Sequence, residues 1–586
     1  MNRRIGDARP SQIITTFGPG SIIDAKKDCV TITDLNLWPD KGLEIKDSRF
    51  ASYIGVNYFK VPPTGNQFNS EDIPVIPFPD IHICSKCGNI FSLSENLKKD
   101  EYKASYLKFG PSCPIKGCGR SAYPSRFVRV CSNGHMDDFD YSAWVHKGKK
   151  CEGKLKMYST GYLSSLGDIF VECQLCHQKR SLSGITNKEN NDTQCHCSGY
   201  HPFRPTFAPV KCNSTMQVLQ RGASNVYFPV IKSAISIPPY IDPLYTKIED
   251  KKRELESFRT LSTYLPKTPE EVFYDTFFKA DYSYEEFKNA LNNIEKGVKD
   301  YISIKESEYN AIKNHNNPIN KRSPLIFNAE EDPVPDILKP YFSHIIRINR
   351  LREIMCLKGF TRLDAPDPEA EQQINIVELQ KKDWLPAIEV HGEGIFIEFN
   401  KNKLNEWLNN TSVKKLDIIV KKAFTEYYLS RNWTVTNPRG ALYMLMHTFS
   451  HLLIKEMGDK SGYSTASIKE RIYCSDTMQG ILIYTGSSDK EGSLGGLVEL
   501  GKPNKILDII KSAFEKALIC TNDPECMYSA LDKNLNISAC HACCMIAETA
   551  CENGNRLLNR NTIIPISDDS DLAYFKDLVK EICGLE

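Results

Sequence analysis

At 586 residues the chain is too long for one core, and at about 150 residues per domain it is expected to form several. Apolar residues make up 41% and charged residues 25%, an ordinary globular composition. A net charge of +1 excludes capture by nucleic acid or membrane through an overall field, so any such contact needs a local patch.

The opening MNRRIGDARPSQIITTFGPG is basic, but Thr15, Thr16 and Gly18 break its apolar run, so it does not read as a secretory signal. No stretch reaches the ~18 apolar residues of a spanning helix. The expected location is cytoplasmic, with no membrane partner. Residues 1–80 mix short β-like runs (IITTF, VTITDL, YIGVNYFKV) with Gly and Pro, which predicts a small β-rich domain. Residues 81–225 alternate short strands, turns and cysteine pairs, as zinc-ribbon-like modules do. Residues 226–380 form a helical middle section, with charged, helically periodic segments over 244–315 and a loop at HNNPINKRSPL. The last section, 381–586, reads as α/β: LPAIEVHGEGIFIEFN predicts two strands around Gly392 and Gly394, a helix follows from about 439, and GILIYTGSS is a strand. The fold class is therefore α+β multidomain, closing on a four-cysteine zinc site.

Cysteine placement carries the chemistry. Of 21 cysteines, twelve lie between Cys29 and Cys212 and seven between Cys520 and Cys583. In a reducing cytosol clustered thiols hold metal more often than they form disulfides. Zn²⁺ takes four thiolate or imidazole ligands in a tetrahedron, and C-x-x-C puts two sulfurs on one turn. One expected site joins Cys84 and Cys87 to Cys113 and Cys118, each pair with a turn glycine, Gly88 or Gly117. A second joins Cys173 and Cys176 to Cys197 and Cys212, with Cys195 spare. A third pattern, C-x₃-H…H-x₄-C, offers Cys131, His135, His146 and Cys151, and core histidines are its competing reading. In SACHACCMIAETAC, Cys540 and Cys543 form the pair, Cys551 follows, and Cys526 or Cys520 completes a closed structural site. Cys544 points away from its neighbour Cys543 and stays outside the set. Metal content of roughly two to four zinc ions is expected.

Other motifs resemble catalysis without completing it. GLVELGKP approaches a phosphate loop, but Pro503 stands where a Mg²⁺-binding hydroxyl is needed. In HTFSHLL, His447 and His451 lie one helical turn apart, yet Thr448 replaces the general-base glutamate of zinc proteases, which leaves packing or partner contact. The Gly-rich loop SSDKEGSLGGL, with Asp489 and Glu491, is a candidate without assigned chemistry. Arg9, Ser11 and Gln12, beside the Gly18–Pro19–Gly20 turn, and Arg221 and Asn225 in LQRGASNVYFP are candidate nucleic-acid or partner contacts.

Taken together, RPSQIITTFGPGSIID, RFVRVCSNGHMDDFDYSAWVH, LQRGASNVYFP, LPAIEVHGEGIFIEF, GYSTASIKERIY, DKEGSLGGLVELG and CHAC…ETAC resemble the DrmB family of the DISARM anti-phage system. The C-terminal part resembles the MZB-type zinc-binding domain at the ends of MrfA-like helicases, and that resemblance implies Cys526, Cys540, Cys543 and Cys551 as ligands. Cys544 departs from the family pattern, where an aliphatic residue is expected. The family implies a non-catalytic zinc-binding subunit that complexes with a DrmA-like superfamily-2 helicase and engages DNA at a single-strand/duplex junction. The competing readings are a zinc- or acid-dependent nuclease using His447, His451, Asp489 and Glu491, and an assembly scaffold without DNA contact.

Overall fold

The computed structural model describes residues 4–584 apart from 27, 64–71, 162–164, 188–194, 239–242, 298–302, 317–323, 368–373, 379, 432, 436, 488–494 and 567–569. Most of the expected HNNPINKRSPL loop, and Asp489 and Glu491, lie outside the described residues. The protein is α+β, with helices and several small sheets. Its chain divides into two compact units: residues 1–45, 58–232 and 356–388, and residues 46–57, 233–355 and 389–586.

The first unit is built from short antiparallel sheets. Ile81–Cys84 lies between Ile90–Ser92 and Ala122–Pro124. Ile169–Cys173 lies between Leu155–Ser159 and Lys179–Ser181. Phe127–Val130 lies between Met136–Asp138 and Thr215–Gln220, which pairs on to Cys195–His196. Strands this short bury little area each, so their cores depend on aromatic side chains: Phe127, Phe139, Tyr141 and Trp144 form one buried cluster around Val171. The Arg180 guanidinium lies 3.5 Å from the centre of the Trp144 ring and covers it. Arg362, 1% exposed, donates to the carbonyls of Gly20, Val226 and Gly134 and so ties together three segments distant in sequence.

The second unit contains the longer elements. In this unit's part of the largest sheet, residues 391–398 of the strand Trp384–Phe399 pair with Gln479–Ser487, which pairs in turn with Ile468–Cys474. The helix Ala441–Ser461 is buried along nearly its whole length. Its Phe449 stacks with Phe342 and meets Phe399 and Phe575, an aromatic core between helix and strands. The charged segment after 243 forms short amphipathic helices around Phe273, Phe278 and Phe287, with their charges outward.

Three expected elements differ. IITTF begins within a helix, Pro10–Thr15, because Pro10 sits at its first turn and the Gln12 side chain accepts the Arg9 amide at 2.9 Å. Tyr53 and Ile54 of YIGV close the helix Ser48–Ile54, which Gly55 ends in the left-handed conformation before the strand Tyr58–Lys60. LPAIEVHGEGIFIEF is one strand, Trp384–Phe399, and neither of its glycines has positive φ. A Cβ at Gly392 would lie 1.6 Å from the Thr485 carbonyl oxygen and one at Gly394 2.8 Å from that of Ile483. The glycines let the neighbouring strand approach closely rather than turn the chain.

Candidate metal centres

Strand register decides which cysteines meet. Cys84 ends the strand Ile81–Cys84, and the next turn closes through the Gly88 amide, which donates to the Cys84 carbonyl at 3.1 Å. Gly88 has φ +70°, and a Cβ there would lie 1.9 Å from the Met157 carbonyl oxygen, so the turn requires glycine. Cys113 and Cys118 come from a second turn containing Gly117, φ +83°. The sulfur pairs Cys84–Cys118 and Cys87–Cys113 are each 3.7 Å apart. Four sulfurs around a zinc at ~2.3 Å lie about 3.8 Å from one another, whereas a disulfide is ~2.05 Å. The spacing fits a shared ion.

The expected second and third sets are regrouped. Val130 pairs with Gln217 and Cys195 with Met216, which carries Cys131 and His135 to Cys197 and Cys212. Cys131 and Cys197 sulfurs are 3.5 Å apart, and His135 Nδ1 is 3.3 Å from Cys131. In a different sheet, Leu155 pairs with Cys173, which brings Cys151, four residues before Leu155, against Cys173 and Cys176. Cys151 and Cys173 sulfurs are 3.6 Å apart, and the fourth group is His146, at the end of the helix Tyr141–His146. His146 Nδ1 donates to the Ser142 carbonyl at 2.9 Å, which leaves Nε2 for the sulfurs. Cys173 and Cys176 therefore do not meet Cys197 and Cys212, because the two pairs belong to separate sheets. The side chain of Cys195 lies outside the described residues.

The C-terminal cluster is Cys520, Cys526, Cys540 and Cys543. Its sulfurs are 3.5 Å apart for Cys520–Cys540 and 3.7 Å for both Cys526–Cys543 and Cys540–Cys543. Cys520, which follows the helix Pro503–Ala517, takes the place expected for Cys551. Cys551 Sγ instead lies 3.1 Å from His447 Nε2. His447 and His451 have no exposed surface, which removes them as partner or nucleic-acid contacts.

In each of three clusters one sulfur is held toward the thiolate, whereas burial raises neighbours such as Cys113 and Cys526. Burial opposes ionisation of Cys84, but the amides of Cys87 and Lys86 donate to its sulfur and bring the thiol down to about 7. Burial opposes Cys173 too, and the amides of Cys176 and Leu175 bring it down to about 6. A hydrogen bond from the Cys544 thiol, acting against burial and with the Cys540 amide and Arg560, pulls Cys543 down to about 4. Thiolates are the form that binds metal. Cys544 is buried and outside the four-sulfur group, but its thiol reaches the Cys543 sulfur instead of pointing away from it.

The candidate surface contacts have local roles. The Gln12 side chain caps its helix and Arg9 is exposed; Ser11 accepts the Thr15 hydroxyl at its carbonyl. Arg221 donates to Asp24, Pro124 and Ser125. The Asn225 carbonyl accepts the Leu363 amide. The Gly18–Pro19–Gly20 turn is buried and packs on Tyr227. Glu470, which neither motif nor spacing indicated, joins the histidine pair. Its signal lies in IKERIY, where strand alternation puts Glu470 in phase with Ile468 and Ile472 on one face.

The fold and these clusters define a class: an α+β protein whose small sheets and C-terminal loops converge in cysteine-rich groups of zinc-site geometry. Residues 449–544 match the MrfA Zn-binding domain, MZB, and residues 9–228 match a domain of unknown function, DUF8724. The DISARM protein DrmB of Bacillus paralicheniformis is 38% identical over 586 residues, covering 95% of this chain and 100% of that protein. The chain belongs to the DrmB family.

Proposed function

We propose that this DrmB-family chain is a non-catalytic, zinc-stabilised subunit that binds a DrmA-like superfamily-2 helicase in bacterial anti-phage defence and helps load DNA at a single-strand/duplex junction. Four zinc ions, one in each cysteine-rich cluster, fix its small modules. The chain works in the cytoplasm, where its thiols stay reduced. No described helix is long and apolar enough to cross a membrane. The supporting observation is the location of the metal-binding groups. The sulfurs lie at turn ends with all four ligand positions filled by side chains, the arrangement of a structural site, whereas a catalytic zinc keeps one position open. The buried His447 and His451 present no nitrogen to a solvent-borne substrate, which favours this reading over a nuclease.

The test is a mobility-shift series across salt concentrations with forked DNA, with and without the helicase. A DNA-lining subunit strengthens helicase binding, and the gain falls steeply as salt rises, because phosphate contacts release counterions. Equal shifts with and without the chain make it a scaffold that leaves DNA untouched. Cleavage of labelled DNA by the chain alone with Mg²⁺ or Mn²⁺ makes it a nuclease.

A further inference from the structure

Cys551, His447, His451 and Glu470 lie outside the four cysteine-rich clusters, and their ligand atoms all fall within 4.8 Å of one another. His447 and His451 project from one face of the helix Ala441–Ser461, Glu470 comes from the strand Ile468–Cys474, and Cys551 comes from the loop after CHACC. His447 Nε2 is 3.0 Å and His451 Nε2 3.3 Å from the same oxygen, Glu470 Oε1. The edge of a zinc tetrahedron with N and O ligands at ~2.0 Å is about 3.3 Å.

Two observations point to an ion rather than to hydrogen bonds alone. His451 Nδ1 is 2.9 Å from the Cys544 carbonyl, which only accepts, so Nδ1 carries the hydrogen and the neutral ring turns the lone pair of Nε2 toward Glu470. A lone pair facing a carboxylate oxygen is repulsive, and protonating Nε2 instead buries an imidazolium–carboxylate pair at the desolvation cost of both charges. A divalent cation removes the conflict: two neutral imidazoles, one carboxylate and one thiolate balance its charge. Independently, Cys551 Sγ accepts the amides of Asn553 at 3.3 Å and Asn555 at 3.1 Å. Cys84 accepts the amides of Lys86 and Cys87 in the same manner. The Cys551 sulfur thus receives backbone amides as the Cys84 sulfur does within its cluster.

We infer that His447, His451, Glu470 and Cys551 form a fifth, mixed-ligand site for a zinc-class divalent cation, separate from the Cys520–Cys526–Cys540–Cys543 cluster. It joins the long helix, the strand and the C-terminal loop by one ion, and it stands independently of the helicase and DNA reading. Three of its four ligands lie inside the span that matches the zinc-binding domain or beside it, but Cys551 follows that span's end at 544.

The test is elemental analysis of the purified full chain and of its Glu470→Gln and Cys551→Ser variants, with zinc as the probe. The expected result is about five ions per wild-type chain and about four in each variant. Zinc absorption spectroscopy on the wild type makes the result independent of whether the variants fold. Five ions with this ligand set average about three sulfurs per zinc, and four ions in the cysteine-rich clusters average about 3.5. A wild-type count of four with the sulfur-rich average, or a count unchanged by Glu470→Gln, overturns the fifth site and leaves the other four standing.

Discussion

Arg471 and Glu308 form a two-pronged ion pair, Nε to Oε2 at 2.5 Å and Nη2 to Oε1 at 3.0 Å, on a carboxylate with no exposed surface. Glu308 also accepts the Ile235 amide and the Tyr473 hydroxyl, and Arg471 reaches the Ser233 carbonyl. The pair joins the helix Ile304–Lys313 to the strand Ile468–Cys474. Removing Glu308 leaves the buried Arg471 without its carboxylate, at a cost of about 3–5 kcal/mol. Glu308→Ala is therefore expected to lower the urea midpoint sharply, whereas Glu308→Leu paired with Arg471→Met recovers much of the loss. A Glu308→Ala protein as stable as the wild type contradicts the pair's role.

Arg362 makes a different demand. Its guanidinium serves the carbonyls of Gly20, Val226 and Gly134 at 2.8, 2.5 and 3.0 Å and faces the Phe360 ring. Arg362→Met keeps the volume but takes this donor from the Gly20 and Val226 carbonyls, each at about 1–3 kcal/mol, while Gly134 keeps the His201 ring. Arg362→Lys keeps the charge without the planar fork that spans three separated carbonyls. Both are expected to destabilise, with Met the worse, in thermal unfolding of the full chain.

Two turn glycines in the first cluster separate backbone strain from collision. Gly117 has φ +83° with nothing within 4 Å of an added Cβ, so Gly117→Ala is expected to cost only the left-handed conformation, about 1–2 kcal/mol. Gly88 has φ +70° and would set its Cβ against the Met157 backbone, which cannot swing away as a side chain can. Gly88→Ala is expected to cost more than Gly117→Ala and to lower the zinc content of the purified chain. Metal analysis with denaturation of both variants checks the order.

The contrast between these clusters explains what the residues alone disclose. A C-x-x-C spacing acts within one turn, so Cys84 with Cys87, Cys173 with Cys176 and Cys540 with Cys543 can be read directly and meet in the structure. Which pair faces which depends on strand register, a long-range property: Val130 opposite Gln217 takes Cys131 to Cys212, and Leu155 opposite Cys173 takes Cys151 to Cys173 and Cys176. Cys551 lies close in sequence to Cys543 yet joins His447 instead, and spacing carries no sign of that. The same limit applies to where a strand runs on, not to the fold class. Helices and small sheets were visible in the periodicity, and so was the strand character of LPAIEVHGEGIFIEFN, but not its continuity through Trp384–Phe399, because its glycines report a neighbour's closeness that no local pattern encodes.

Cys543 and Cys583 provide the sharpest test of what the thiols do. Cys543 is buried, shares its sulfur environment with Cys526 and Cys540, and is held far below the ordinary thiol range by Cys544, against burial and with the Cys540 amide and Arg560. Cys583 ends the helix Lys576–Cys583 and belongs to none of the cysteine clusters among the described residues. A structural ion's binding energy is folding energy, so Cys543→Ser is expected to lose one ion per chain together with soluble yield and thermal stability. Cys583→Ser removes a thiol of similar size without removing a ligand, and it is expected to change stability by less than about 0.5 kcal/mol with metal content unchanged. If Cys543→Ser stays soluble, keeps its full metal complement and joins its partner normally, the cluster is not a clamp on the C-terminal loops.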